Sequence, residues 1–365
     1  MKKVISVVGA RPNFMKVAPL IRASQGKNFK HLICHTGQHY DYNLSDAFFR
    51  DLEMPQPDYF LGVGSGTHAE QTAKIMIEFE KVLNLENPDL VIVVGDVNST
   101  IACGLTSVKK GIKLAHIEAG LRSFDRDMPE EINRIATDSI SDYFFVTETS
   151  GYNHLKETGI SEDSIFFVGN TMIDSLVYAL EKADHSSILN DLQVNPKEYI
   201  LVTLHRPSNV DDIINLKKFI EIFEYLAQFR KIIFPIHPRT TKMMKEFELY
   251  DNLIANSNIK LIEPAPYLDF LNLMKNADFV MTDSGGIQEE TTFLNIPCLT
   301  LRTTTERPST IELGTNVLCE PDYENIMTEI KRFLVNPPKR KSIPSLWDGK
   351  ASERIVKIIE EKIFL

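Results

Sequence analysis

Several runs of the chain place titratable side chains directly after apolar strands. VIVVGDVNST sets Asp96 just past one such run, and AHIEAGLRS sets Glu118 just past the next. MPEEINR then supplies Glu130, Glu131 and Arg134 at the start of a predicted helix, with Pro129 ahead of them. Acids in a first helical turn also complement the helix dipole, which by itself accounts for Glu130 and Glu131. Taken with Asp96 and Glu118 they form the kind of carboxylate cluster that proton transfer at carbon needs, because like charges raise one another's pKa toward the working range.

A second set of residues suits an anion. GARPNFMK follows the first strand: Gly9 allows the turn, Pro12 opens the helix, and Arg11 and Lys16 place two cations near its N-terminus. Cations there oppose the dipole, a cost that makes sense if a diphosphate sits between them, since arginine offers a planar donor fork. The run is not GxGxxG, so no dinucleotide fingerprint is present. TLHRPSN carries His205 and Arg206 after a strand, and FPIHPRT repeats the pattern with His237 and Arg239. A lone histidine is usually a structural hydrogen-bonder, but two such pairs at successive strand exits could surround an anionic leaving group.

Residues 282 to 290, TDSGGIQEE, join a strand end, a glycine turn and an acidic first helical turn. Ser284, Gly285 and Gly286 can leave backbone N–H groups open at a helix start, where the dipole favours phosphate. Glu289 and Glu290 can accept hydrogen bonds from ribose hydroxyls. The same run also reads as a capped strand-to-helix turn with no ligand. In APYLDF, Tyr267 and Phe270 offer flat surfaces for a base, although core packing explains Phe270 equally.

These residues need elements to hold them at strand ends. Short β-branched runs alternate with longer amphipathic stretches, which predicts an α/β protein built on parallel sheets. Expected strands are 3–8, 31–35, 90–94, 113–117, 143–146 and 165–168, then 199–203, 231–236, 259–262, 278–281, 298–301 and 316–318. Two doubly wound, Rossmann-like halves follow. The stretch Ala183 to Pro196 has little periodicity and is read as the linker, dividing the chain into domains 1–182 and 183–349. The last stretch, 350–365, reads as a helix with Ile355, Ile358, Ile359 and Ile363 on one face. Ligands of open α/β sheets sit beyond the carboxyl ends of the strands, so the two halves are expected to face one cleft.

Composition bounds the function. The 365 residues are 43% apolar and 25% charged, an ordinary soluble balance with length for two cores. No apolar stretch reaches the ~18 to 20 residues of a membrane span, and the start is no signal peptide, so a cytoplasmic protein without a membrane partner is expected. Cys34, Cys103, Cys298 and Cys319 lack metal-finger spacing and are read as reduced, packed thiols. A formal net charge of -10 argues against nucleic acid.

GARPNFMKVAPL, HTGQHYD, GDVNST, HIEAGLRS, PEEINR, TLHRPSN and DSGGIQEE, in order and in spacing, resemble the non-hydrolysing UDP-N-acetylglucosamine 2-epimerases over nearly the whole chain. The resemblance implies a GT-B-like fold of two Rossmann-like domains with the last helix returning to the first. It also implies a homodimer and no metal or redox cofactor. The implied reaction interconverts UDP-GlcNAc and UDP-ManNAc, by anti elimination of UDP to 2-acetamidoglucal and syn re-addition, and supplies sugars for surface polysaccharides. Under it Asp96, Glu118 and Glu130 are the acid–base group. Arg11, Lys16, Arg134 and His205 hold or polarise sugar and diphosphate, Phe270 meets uracil, Ser284 and Gly285 meet the diphosphate and Glu290 the ribose. Gln38, Gln71, Arg206 and His237 resemble the contacts of a second, activating UDP-GlcNAc. Pro207 and Ser208 depart from the family pattern after His-Arg, which affects contacts near the acetamido group or the activator. GDV after the third strand, where hydrolysing cousins read GDR, favours the non-hydrolysing type. Paralogues acting on UDP-2,3-diacetamido uronic acids or deoxy-acetamido sugars, and a GT-B glycosyltransferase, are the alternatives.

Overall fold

A computed structural model describes residues 1–38 and 51–364. The chain packs as two compact units, the first made of Met1–Ala179 with Ser345–Leu365 and the second of Leu180–Pro344. The division falls inside the helix Thr171–Ala183, a few residues before the aperiodic stretch read as a linker. That stretch is itself packed. It contains the short helix Ile188–Asp191, and Leu192 and Val194 after it are buried.

The first unit is built on seven parallel strands: β1 (Lys2–Val8), β2 (Phe29–His35), β3 (Tyr59–Phe60), β4 (Leu90–Val94), β5 (Lys113–Ile117), β6 (Tyr143–Val146) and β7 (Ile165–Phe167). Their order is β3-β2-β1-β4-β5-β6-β7. The second unit has β8 (Tyr199–Thr203), β9 (Lys231–Pro235), β10 (Ile259–Ile262), β11 (Phe279–Thr282), β12 (Cys298–Leu301) and β13 (Asn316–Cys319), ordered β10-β9-β8-β11-β12-β13. The doubly wound α/β fold expected from the periodicity is therefore present twice. The central strand β4 is apolar along its whole length, all five of its residues buried, as a parallel strand covered on both faces is. Among the described residues only β3 escaped the sequence reading, since two residues at a sheet edge carry no period.

In each sheet the strand order reverses once, between β1 and β4 and between β8 and β11. Helices leave adjacent strands toward opposite faces there, so backbone ends diverge and leave room for a ligand. At the first switch the Gly9 turn is pressed against the helix Asn98–Lys109. A Cβ on Gly9 would lie 2.1 Å from Ser99 Oγ, which only glycine avoids. The C-terminal helix Ala351–Ile358 belongs to the first unit, and its inward face is Ala351, Ser352, Ile355 and Val356. Ile359 is buried just after it, while Ile358 and Ile363 are only half-buried. Within the α-helix the buried stripe already runs through Ile355 and Val356 rather than Ile358, and of the wider turn over Ile359–Ile363 only Ile359 is buried.

Candidate active site

In the first unit Asp96 and Glu118 lie just after strands, each beside a cation, and Asp96 shares its arginine with Glu131. Lys16, in the second turn of the helix Arg11–Ala23, reaches across the sheet to Glu118, with Nζ 2.6 Å from the carboxylate. Both side chains are buried. Arg134 puts Nη1 2.6 Å from Asp96 Oδ2 and Nε 3.0 Å from Glu131 Oε2. Mutual repulsion is thus not what sets these acids. A cation beside each favours its ionised form, and a buried charge without such a partner would be very costly. Lys16 is correspondingly no open phosphate grip at the helix start. That start is occupied by Asn13, whose Oδ1 accepts the N–H groups of Gly9 (3.2 Å) and Ala10 (2.9 Å) while its Nδ2 donates to Val94 O. The Arg11 side chain lies outside the described residues, as do positions 39–50.

Adjacent glutamates on the helix Pro129–Ile140 have different fates. Glu131 is buried and accepts from Ser123 N, Ser123 Oγ and Phe124 N as well as Arg134. Burial would raise its pKa, but these donors more than offset that and hold it below the ordinary carboxylate range. Glu130 is half-buried and makes no hydrogen bond or ion pair with the described residues. The backbone at the two other acids is specialised. Gly95, ahead of Asp96, has φ +67, and Glu118 itself has φ +70, a left-handed conformation that costs a residue with a Cβ roughly 1–3 kcal/mol. Such an outlier points to a position held for function.

In the second unit the switch point carries His205 and residues 283 to 290. Asp283 is fully buried and organises the corner. It accepts the backbone N–H groups of His205 (3.0 Å) and Arg206 (2.8 Å) and sits 2.7 Å from His205 Nδ1. Burial works against this charge, yet the donors keep its pKa below the usual carboxylate range. The His205 ring is thereby fixed with its far edge outward, its side chain 43% exposed. Arg206 Nε donates to Asp283 O, and His237, exposed at the start of the helix Pro238–Glu246, lies 5.8 Å ring to ring from His205. Arg239 turns away to Asp211.

The helix Gly285–Leu294 begins at Ser284 with no side-chain cap and no acid in its first turn, so the acidic first turn read from the sequence is a second turn. The first-turn N–H groups of Gly285 and Gly286 have no intrahelical acceptor, an arrangement that suits an anion. Gly285 also packs on a buried ion cluster: a Cβ there would be 2.8 Å from Glu306 Oε1 and 3.3 Å from Arg307 Nη1. Arg307 Nε is 2.8 Å from Glu289, which ties that glutamate into the wall. Glu290 is held by Tyr267, whose hydroxyl donates to its Oε1 at 3.0 Å, so Tyr267 is an orienting residue rather than a flat surface. Phe270, three residues on, is half-buried.

Gln38 and Gln71 are buried in the first unit. Gln38 Oε1 accepts from Ser99 N and Oγ, and both N–H groups of the Gln71 amide are committed, to Gln38 O and Gly64 O. Sequence reasoning missed Asn13, Asp283 and the Arg302–Glu306–Arg307 cluster. For Asp283 a signal existed: an acid directly after an apolar strand, as at Asp96. Among the described residues no group of three His, Cys, Asp or Glu is arranged to hold a metal ion, and no helix is long and apolar enough to cross a membrane. The four cysteines are buried thiols, burial pushing Cys34 up to about 12.

Two doubly wound units, one with ion-paired carboxylates and one with an open helix N-terminus at its switch point, define a GT-B-like α/β enzyme. The sequence pattern of the UDP-N-acetylglucosamine 2-epimerases matches residues 22–360. The chain is 46% identical to a UDP-N-acetylglucosamine 2-epimerase of Methanocaldococcus jannaschii over 363 residues, 98% of each chain. It is 38% identical, over 87% of its length and 88% of the relative's, to a UDP-2,3-diacetamido-2,3-dideoxy-D-glucuronate 2-epimerase of Pseudomonas aeruginosa. A crystal structure of the Methanocaldococcus jannaschii UDP-GlcNAc 2-epimerase in complex with UDP-GlcNAc and UDP superimposes with TM-score 0.90 at 46% identity, covering 99% of both chains. The protein belongs to the UDP-N-acetylglucosamine 2-epimerase family and is an isomerase.

Proposed function

We propose that the enzyme interconverts UDP-GlcNAc and UDP-ManNAc, the second unit binding the UDP portion and the first supplying the carboxylates that act on the sugar. The observation that carries this reading is the matching of two strand-exit carboxylates, Asp96 and Glu118, each to a buried cation. The C2 hydrogen of the sugar is not acidic, because no carbonyl adjoins that carbon. UDP departure must therefore run ahead, breaking the C1–O bond and building positive charge at C1. Fixed carboxylates steady that charge, while the Gly285 end of its helix, and His205 oriented by Asp283, receive the departing diphosphate. A carboxylate then takes the C2 proton, leaving a C1–C2 double bond in 2-acetamidoglucal. Return of a proton to the other face of C2 and of the diphosphate oxygen to C1 completes epimerisation. Glu130 suits the proton step because it can change protonation without breaking an ion pair with the described residues. Glu290, oriented by Tyr267, takes the ribose hydroxyls, and Phe270 the uracil.

The likeness to the Pseudomonas aeruginosa relative makes a UDP-diacetamido uronic acid the second candidate substrate. Incubation with each UDP-sugar in heavy water, with no acceptor, tests the reading. UDP-GlcNAc should yield UDP-ManNAc with deuterium at C2. Epimerisation without isotope uptake would refute elimination, and inactivity until an acceptor is added would make the enzyme a transferase.

A further inference from the structure

The run RTTTER, residues 302 to 307, leaves β12 and packs on the first turns of the helix Gly285–Leu294. Three links hold it there. Thr305 Oγ1 donates to Gln288 Oε1 at 2.7 Å and itself accepts the Arg307 N–H at 3.1 Å. Gln288 in turn donates through Nε2 to Ser284 O at 3.3 Å, and Asn316 of β13 donates to its Oε1 at 3.0 Å. Arg307 Nε lies 2.8 Å from Glu289 Oε1 on the helix, while its Nη1 donates to Glu306 Oε1 on the loop. Arg302 Nη2 reaches the other oxygen of Glu306 at 3.0 Å. Arg302, Glu306, Arg307 and Glu289 are all buried. The first helical turn beside them is the one with open N–H groups and no side-chain cap, so its placement depends on what packs against it.

We infer that Arg307 is a positioning residue, clamping the segment after β12 to the helix Gly285–Leu294 and so fixing the Gly285 and Gly286 N–H groups on a diphosphate. The clamp stands on its own geometry; its ligand rests on the function proposed above. Attraction of an anion by charge does not explain the cluster. Two arginines and two glutamates cancel, and the position of a Cβ on Gly285 is nearer to Glu306 Oε1, at 2.8 Å, than to Arg307 Nη1, at 3.3 Å. Stability does not require ions either, because apolar packing of similar volume usually serves as well as a buried ion pair. What a guanidinium adds is a rigid planar fork that faces two carboxylates at once, here on two different segments. Backbone donors help an anion only while they are aimed at it, since a hydrogen bond weakens steeply as it bends.

Arg307→Lys keeps the charge and removes the fork, which separates the two roles. In the full chain its UDP affinity should fall about 10-fold, while uridine, which carries no phosphate, binds within about twofold of the parental strength. Amide hydrogen exchange over residues 284 to 294 of the ligand-free variant should rise about fivefold. If the lysine variant holds UDP as the parent does, or if UDP and uridine weaken by the same factor, the positioning role is overturned. A residue that only stabilised the unit would lower the urea midpoint and leave the ratio of the two affinities alone. Should Arg307→Lys fail to fold, Thr305→Val cuts the Gln288 link and leaves every ion pair in place. It should cost about threefold in UDP affinity with uridine unchanged, and UDP binding at parental strength would then overturn the clamp. A parent that binds UDP no more tightly than uridine would instead refute the diphosphate reading. The clamp would then be decided by hydrogen exchange, and unchanged exchange in the variant would overturn it.

Discussion

The two switch points solve opposite electrostatic problems. In the first unit negative charge is held by cations in close pairs: Lys16 on Glu118, Arg134 on Asp96 and Glu131, and Arg122 on Asp138. In the second the helix start at the switch point is left without an acid of its own. The first turn of the helix Gly285–Leu294 has no acid and no capping side chain, and Asp283 and Glu289 are consumed inside the wall. A lobe that moves protons must keep its carboxylates where they are through the reaction, which favours side-chain ion pairs. A site that grips phosphate can use backbone N–H groups, which do not titrate in the working range and are held in place by the helix.

The contrast can be broken most directly at Asp96. Asp96→Asn keeps shape and removes charge, and should lower turnover by about 100- to 10,000-fold while UDP affinity, which the proposed function assigns to the other unit, stays near the parental value. A loss of UDP binding equal to the loss of turnover would erase the division of labour. Lys16→Met comes next. It strands the Glu118 carboxylate in a buried site, and breaking such a pair costs about 3–5 kcal/mol, to be read from urea unfolding of the full chain. A cost below about 1 kcal/mol would mean the pair is solvated.

Acid should also act on the first unit. Burial holds His31 and His35 at about 4, against an ordinary value of 6.5. The unfolded chain takes up these protons near 6.5 while the folded one refuses them until near 4. Stability is therefore complete above the upper value and is lost as pH falls through that window, by at most about 3 kcal/mol per histidine. Urea midpoints of the parent and of His31→Gln should converge between pH 7 and about 4.5, the variant losing less. Parallel pH profiles would contradict the assignment. The smallest effect is expected at Gly285→Ala, where the added methyl meets Glu306 Oε1 at 2.8 Å. The resulting displacement should cost about 1–2 kcal/mol of UDP affinity, roughly tenfold, with deuterium uptake at saturating substrate little changed.

Much of this was legible in the chain itself. β4, β8 and β12 begin and end where the apolar runs do, because a central parallel strand is covered on both faces and writes a nearly unbroken apolar run into the sequence. The strand exits were legible for the same reason: Asp96, Glu118 and His205 are the first polar residues after such strands, and Ser284 follows one residue behind Asp283. Partnership was not. Lys16 and Glu118 are 102 residues apart and meet only because β1, β4 and β5 are neighbours in the sheet. Glu130 and Glu131 are identical in type and adjacent, and a rotation of about 100° around the helix decides that one is walled in and the other is not. His116 reads as one more polar residue in a strand until the helix Pro129–Ile140 sets Asp138 against it. Local pattern dictates which residues reach a strand end, since burial acts on each segment separately. Which charge faces which is settled by packing between segments far apart in the chain, and only the folded sheet sets those distances.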